Sequence, residues 1–301
     1  ANDENLNETL ERAFKNIEGS AVGADSEHDI KGLFDDLDVN STKLGQTVAK
    51  RNEKLVKLLD AIGDLSLGDF ADNTIDAFGD AYEYLMTMYA SSAGKSGGEF
   101  FTPQEVSELL ARITLVGKTE INKVYDPACG SGALLLKFAK VLGRENVRQG
   151  FYGQEVNQTS AAIGRMNLLI HEVEDAQIRR EDTLREPKFT DAKGKLDQFD
   201  MVVANPPFSL KDWGADKWAT DPHKRALGGV PPKGNADFAW VQHMIASMKP
   251  ETGRVGVVMP HGVLFRGGQE AKIRQHLIES ELLETVIGLA PNLFYGTTIP
   301  A

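Results

Sequence analysis

Cysteine is almost missing from this chain: Cys129 stands alone among 301 residues. That excludes an internal disulfide and any zinc site built on several thiolates, and it suits a reducing cytoplasm. Long apolar runs are missing too. None approaches the roughly 20 residues of a membrane span, although a hydrophobic content of 41% is enough to build a core. A basic excess is also missing, since the formal net charge is −11. Overall acidity argues against a domain that binds DNA unaided, because phosphate neutralisation needs clustered Lys and Arg; a local basic patch or a partner can still supply it. The opening ANDENLNETL is polar and acidic and carries no signal-peptide core. The first residue is not Met and Ala301 follows YGTTIP, so a trimmed chain or a fragment is expected.

What is present divides in two. Residues 1–90 hold 8 Lys+Arg against 19 Asp+Glu, which leaves 25 of each for residues 91–301. The first part reads as helical. Leu6, Leu10, Phe14 and Ile17 recur at helical spacing, as do Leu55, Leu58, Leu59 and Ile62. A small helical domain over 1–90 is expected, the alternative being a mere extension of the domain that follows. After the glycine-rich break SSAGKSGGEFFTP the pattern alternates. Strand-like runs KVYDPA, GFYGQEV, AQIRRED, FDMVVAN, GRVGVVMP and ETVIGLA are mostly separated by helical segments such as GALLLKFAKVLG. Strand alternating with helix predicts an α/β domain over 91–301, a parallel sheet with helices on both faces.

Four stretches carry chemistry. In YDPACGSGALLL, Asp126, Gly130 and Gly132 sit where a strand gives way to a helix. Glycines there admit close approach of a ligand to free N–H groups, or simply make a tight turn. Leu135 replaces the third glycine of a dinucleotide fingerprint, which disfavours a pyrophosphate ligand. Glu155, about 20 residues on and at the end of the next strand, is placed to take both hydroxyls of a ribose. Asp182, after the third strand, can accept from an adenine amino group, though turns favour Asp for their own reasons.

The fourth stretch is VVANPPFSL. Asn205 and Pro206 put an amide oxygen and a backbone carbonyl at the carboxyl end of the sheet, where α/β domains bind ligands. Proline fixes that carbonyl through its restricted φ. Two adjacent acceptors suit an NH2 group that must be held and made nucleophilic, and Phe208 offers a face for stacking a planar base or amide. Other motifs fail. AGKSG lacks the upstream glycine of a P-loop, HEVEDA has no second His for zinc, and Cys129 has no orienting His–Asn set. The segment from Ser209 to Gly234 looks long and unstructured. It bears Trp213, Trp218, Lys211, Lys217, Lys224, Arg225 and Lys233, so it reads either as a nucleic-acid contact or as a solvated loop.

These residues resemble the S-adenosylmethionine-dependent amino-methyltransferases, with DPACGSG as cofactor loop and NPPF as catalytic tetrapeptide. GGEFFTP and the acidic helical region narrow the likeness to the modification subunit of type I restriction-modification systems, which methylates adenine N6 in DNA. That resemblance implies a Rossmann-like methyltransferase sheet. It implies that Glu99, Phe100, Phe101, Thr102, Pro103 and Gln104 line the methionine end of the cofactor. Asp126, Ala128, Gly130, Ser131, Gly132 and Ala133 would form the loop beneath it. Glu155 would take the ribose, Asp182 with Thr183 the cofactor's adenine, and Asn205, Pro206, Pro207 and Phe208 a flipped target base, with Asn205 also beside the cofactor and no metal required. Partners implied are DNA, a separate specificity subunit and a restriction/translocase subunit, with two copies of this chain per complex, in the cytoplasm. Such chains continue past a segment like LFYGTTIP. The alternatives are a protein-glutamine N5-methyltransferase, for which NPPY is the usual tetrapeptide, and a cofactor-binding scaffold without activity.

Overall fold

A computed structural model describes residues 4–24, 27–64, 102–294 and 300–301. The chain forms two compact units, 1–81 and 82–301.

In the first unit, α1 (Leu6–Ser20), the short α2 (Glu27–Ile30) and α3 (Val48–Gly63) follow the helical spacing. Thr47 caps α3 by accepting from the Lys50 N–H at 3.3 Å, which satisfies one of the donors a helix start leaves open. The packing is partly polar. Asn52 Oδ1 accepts from the Asn7 N–H at 3.2 Å while its Nδ2 donates to the Glu4 carbonyl at 2.8 Å, tying α3 to the start of α1. Phe14 stacks on Phe34 with ring centroids 4.6 Å apart. The rest of the expected helical domain, residues 65–90, lies outside the described residues.

In the second unit five strands form one parallel sheet: β1 (Val124–Asp126), β2 (Phe151–Glu155), β3 (Ala176–Arg180), β4 (Met201–Ala204) and β5 (Arg254–Val257). Their order is β3-β2-β1-β4-β5. Helix α4 (Gln104–Thr114) precedes β1, and α5 (Ala133–Leu142) and α6 (Gln158–Ile170) separate β1, β2 and β3; the short α7 (Ala215–Trp218), α8 (Asp237–Ser247) and α9 (Gln269–Glu279) come later. Both sheet faces are covered, so the central strands are largely apolar instead of alternating with polar residues. The exception, Gln154 in β2, is fully buried, and its side chain bonds the Glu181 and Glu186 carbonyls and the Lys188 N–H. Val124, Phe151, Met201 and Val203 point into one core with Leu110, Leu135 and Phe138. Their neighbours Tyr125, Tyr152, Val202 and Ala204 point into the other with Phe189, Phe199 and Met244. Each large apolar side chain fully buried this way contributes about 1.5–3 kcal/mol.

The sixth expected strand, ETVIGLA, is not one. Residues 284–290 run without regular structure, and Val286 and Ile287 are exposed. A strand persists only when its N–H and C=O groups find a ladder, and among the described residues the stretch makes a single long-range backbone bond, from the Leu289 N–H to the Ala301 carbonyl at 2.9 Å. Among the described residues, no helix is long and apolar enough to cross a membrane.

Candidate active site

The strand order reverses direction between β1 and β4, and at their carboxyl ends this opens a crevice, the usual ligand position in such sheets. The crevice is a cleft of about 330 Å³, open to solvent, with Asp126, Gly130 and Ser131 on the β1 side and Asn205 and Thr102 facing them. The sequence-predicted loop and Asn205, the first residue of the tetrapeptide, thus line one space, while Pro206, Pro207, Phe208, Glu155 and Asp182 are not among its lining residues.

The loop after β1 is built by its neighbours. Asp126 Oδ1 accepts from the Ala128 N–H at 3.0 Å, turning the chain off the strand. Gly132, with φ of 74°, then starts α5, a conformation that costs glycine nothing. Behind the loop lies α6. Asn167 Nδ2 donates to the Ser131 carbonyl at 3.0 Å, and a Cβ on Gly164 would stand 3.0 Å from the Gly130 carbonyl. From β3, the Thr183 hydroxyl donates to the Pro127 carbonyl at 2.6 Å. Thr183 therefore buttresses the loop with the group that sequence reasoning offered to the cofactor.

Glu155 holds its carboxylate at the loop through backbone donors, Gly130 N–H to Oε2 at 3.0 Å and Asn157 N–H to Oε1 at 2.8 Å. Each oxygen keeps a lone pair for a ribose hydroxyl. Burial raises the Glu155 pKa, against the lowering effect of those N–H groups. Asp126 is more affected: burial pushes it to about 8, opposed by the Ala128 N–H and assisted by the charge of Glu155. Two acids desolvated this far favour a ligand that brings positive charge. The Cys129 thiol is pushed well up by the same burial, so it stays protonated and is no nucleophile.

Asp182 closes β3 as expected, but its carboxylate is engaged. Oδ1 accepts from the N–H groups of Leu184 and Arg185 at 3.0 and 3.2 Å, and Oδ2 faces Arg185 Nε at 3.2 Å. Across the crevice, Asn205 Nδ2 donates to Thr102 Oγ1 at 3.2 Å, leaving Oδ1 as an acceptor. Pro206 is buried, Pro207 exposed and Phe208 half-buried. Phe208 meets the edge of Phe294 at a centroid distance of 6.1 Å, a contact no local pattern signals. Pro103 and Gln104 open α4 beside Thr102. Glu99, Phe100 and Phe101 lie outside the described residues.

The segment after NPPF is no loose loop. Trp213 and Trp218 are buried; their ring N–H groups donate to the carbonyls of Pro232 and Leu184, each at 3.0 Å. Arg225 lies over Trp218 at 4.7 Å and donates to the carbonyls of Thr183 and Leu184 at 3.0 and 2.9 Å. It also pairs with Asp221 at 2.9 Å. With both indoles and the guanidinium consumed internally, stacking of a nucleic-acid strand on these rings is ruled out; Lys211, Lys217, Lys224 and Lys233 remain exposed.

Comparison with known proteins places the chain in a family. Residues 73–301 match the family described as N-6 DNA Methylase. The methylase subunit of the type I restriction enzyme MpnII from Mycoplasma pneumoniae is 43% identical over 99% of this chain and 56% of its own length. That of MjaVII from Methanocaldococcus jannaschii is 37% identical over 77% of this chain and 40% of its own. The crystal structure of a type I restriction-modification methyltransferase subunit from Streptococcus thermophilus superposes with a TM-score of 0.84. It is 36% identical and covers 97% of this chain and 60% of that one. The chain thus spans about half the length of the curated relatives it matches. A putative class I S-adenosylmethionine-dependent methyltransferase from Listeria monocytogenes, 16% identical at a TM-score of 0.62, shares the fold.

Proposed function

Since the chain belongs to the N-6 DNA methylase family, we propose that it is the modification subunit of a type I restriction-modification complex. It methylates N6 of a DNA adenine, using S-adenosylmethionine. One observation carries the reading: Asn205, its amide nitrogen committed to Thr102, keeps an acceptor oxygen in the crevice lined by the glycine loop. A protein-glutamine substrate is not favoured by the family match.

The residues present fit the cofactor. It carries an ammonium and a sulfonium, and the crevice offers Asp126, with Glu155 behind the loop on the Gly130 N–H; burial raises both carboxyls, so a neighbouring cation would favour their ionised forms. Glu155 would bind the ribose hydroxyls, Gly130 and Gly132 admit close backbone approach, and Asp182 would accept from the adenine through Oδ2, in competition with Arg185. Residues 99–104 would close the methionine end. When bound, the cofactor supplies an electrophilic methyl group.

The rest is done by the chain. Adenine N6 is a weak nucleophile because its lone pair is shared with the ring. Asn205 Oδ1 and the Pro206 carbonyl accept its two hydrogens and draw the nitrogen toward a tetrahedral shape. Phe208 stacks on the base, which reaches this depth only when flipped from the duplex. Holding the nitrogen fixed where the bound cofactor would present its methyl group would supply much of the rate.

We assign residues 1–90 to a helical domain and 91–301 to the catalytic domain, in a cytoplasmic complex with two copies of this chain, a specificity subunit and a restriction/translocase subunit. Recognition of sequence belongs to the specificity subunit: residues 91–301 balance 25 basic against 25 acidic residues, which gives little unaided phosphate affinity, and their sequence shows no base-reading motif. The exposed lysines between Lys211 and Lys233 would meet the DNA backbone. The test is filter binding and base-by-base mapping of methylation, using the full-length chain with and without the specificity subunit. Site-specific adenine methylation only with both is expected; tight, specific methylation by this polypeptide alone would refute the division of labour.

A further inference from the structure

The excursion that leaves the sheet after NPPF is closed at its neck. Ser209, the residue after Phe208, sits at φ of 52°, a left-handed conformation that a non-glycine residue keeps only when its surroundings impose it. What imposes it is Asp237, the first residue of α8, whose carboxylate is only 1% exposed. Its Oδ1 accepts from the Ser209 N–H at 2.7 Å. One residue further, the Ala236 N–H donates to the Leu210 carbonyl at 3.0 Å. Asp237 is itself held, because Oδ2 accepts from Arg266, and Arg266 grips Glu270 of α9 through Nε and a terminal nitrogen at 2.7 and 3.0 Å.

An acidic first residue suits any helix, and an ion pair with Arg266 would serve packing alone. Neither role requires the second carboxylate oxygen to leave its helix and fix a strained residue beside the tetrapeptide. We propose that Asp237 is a positioning residue for the target-base pocket, locking the backbone at Ser209 so that Phe208 and the Pro206 carbonyl hold their places, while Arg266 and Glu270 orient its carboxylate. This rests on the reading of NPPF as the holder of the flipped adenine.

Two conservative variants in the assembled full-length complex separate the roles. Asp237→Asn keeps an oxygen acceptor for Ser209 but loses the charge facing Arg266. Asp237→Glu keeps the charge but carries the acceptor past Ser209. The proposal expects Asn to stay within about fivefold of the native single-turnover methylation rate and Glu to fall about tenfold or more below it, both with cofactor dissociation constants within about twofold of native. Fluorescence of 2-aminopurine at the target position should drop for Glu alone, and hydrogen exchange of the 206–210 backbone should quicken for Glu alone. A Glu variant at least as active as the Asn variant overturns the proposal, since the charge pair would then be what matters; so does a cofactor affinity that falls in parallel with rate. If the unmodified complex does not methylate adenine, the functional reading fails, and backbone exchange in the two variants still decides whether Asp237 clamps Ser209.

Discussion

Replacing Asp126 by Asn should remove a proton from the cofactor-binding equilibrium. In the free protein the Asp126 pKa is about 8, chiefly because its carboxyl is buried. At pH 7 such a group is about nine-tenths protonated, and at pH 6 almost wholly so. A cationic cofactor beside it selects the ionised form, so binding at pH 7 should release about 0.9 proton. The association constant should climb nearly tenfold from pH 6 to 7, about fivefold more to pH 8, and then level off. Calorimetry in buffers of different ionisation enthalpy measures both quantities. In Asp126→Asn the pH slope should largely flatten, any remainder belonging to Glu155, and affinity at pH 8 should fall by about 1.5–3 kcal/mol, the worth of a charged hydrogen bond. Stability runs the other way. A carboxyl raised in the folded state contributes stability that is present below its unfolded pKa near 4 and lost as pH rises through about 8. The cofactor-free Asn variant should therefore gain in melting temperature over the native protein, more at pH 8 than at pH 5. Native affinity that stays flat from pH 6 to 8, with no proton released, would refute the reasoning.

Other expectations are more local. Glu155→Ala should weaken cofactor binding by about 1.5–3 kcal/mol; unchanged affinity by calorimetry would remove Glu155 from the ribose. Asn205→Ala should nearly abolish methyl transfer while cofactor affinity stays close to native, and native turnover would end the acceptor argument. Phe208→Ala should cost about 1–3 kcal/mol in holding the flipped base, read as lost 2-aminopurine fluorescence. Gly153→Ala should destabilise the fold by about 1–3 kcal/mol, because its Cβ would stand 2.5 Å from Ile178 and 2.8 Å from the Cys129 sulfur; a native unfolding midpoint in urea would contradict that crowding.

Much of this site could be read before the structure. The ends of β1 and β4 are marked by apolar runs closing on Asp126 and Asn205, because strands covered on both faces are largely apolar. β2 and β3 are less clean, with Gln154 buried inside β2 and Gln177, Arg179 and Arg180 in β3 ahead of Asp182. What escaped was long-range. Leu135 in place of a third glycine is a core residue, and the close approach that glycine would have allowed is provided by Gly164 on the facing helix. Trp213, Trp218 and Arg225 have the composition of a stacking platform, yet the carbonyls that absorb them belong to Pro232, Thr183 and Leu184. Asp182 is claimed by Arg185, which a turn signal alone does not reveal. Residues 284–290 have strand composition but join no ladder among the described residues.

The strand order has a consequence for how the chain is made. β1 lies between β2 and β4, and β4 begins roughly 75 residues after β1 ends. At a synthesis rate of about 5–20 residues per second, the inner edge of β1 waits about 4–15 s for its partner. During that interval an apolar strand with unpaired backbone groups faces solvent, which leaves a nascent chain open to wrong pairing. The crevice comes into being at the end of the wait. When Met201–Ala204 dock beside Val124 and Tyr125, one event seals the vulnerable edge and brings Asn205 opposite the loop it works with.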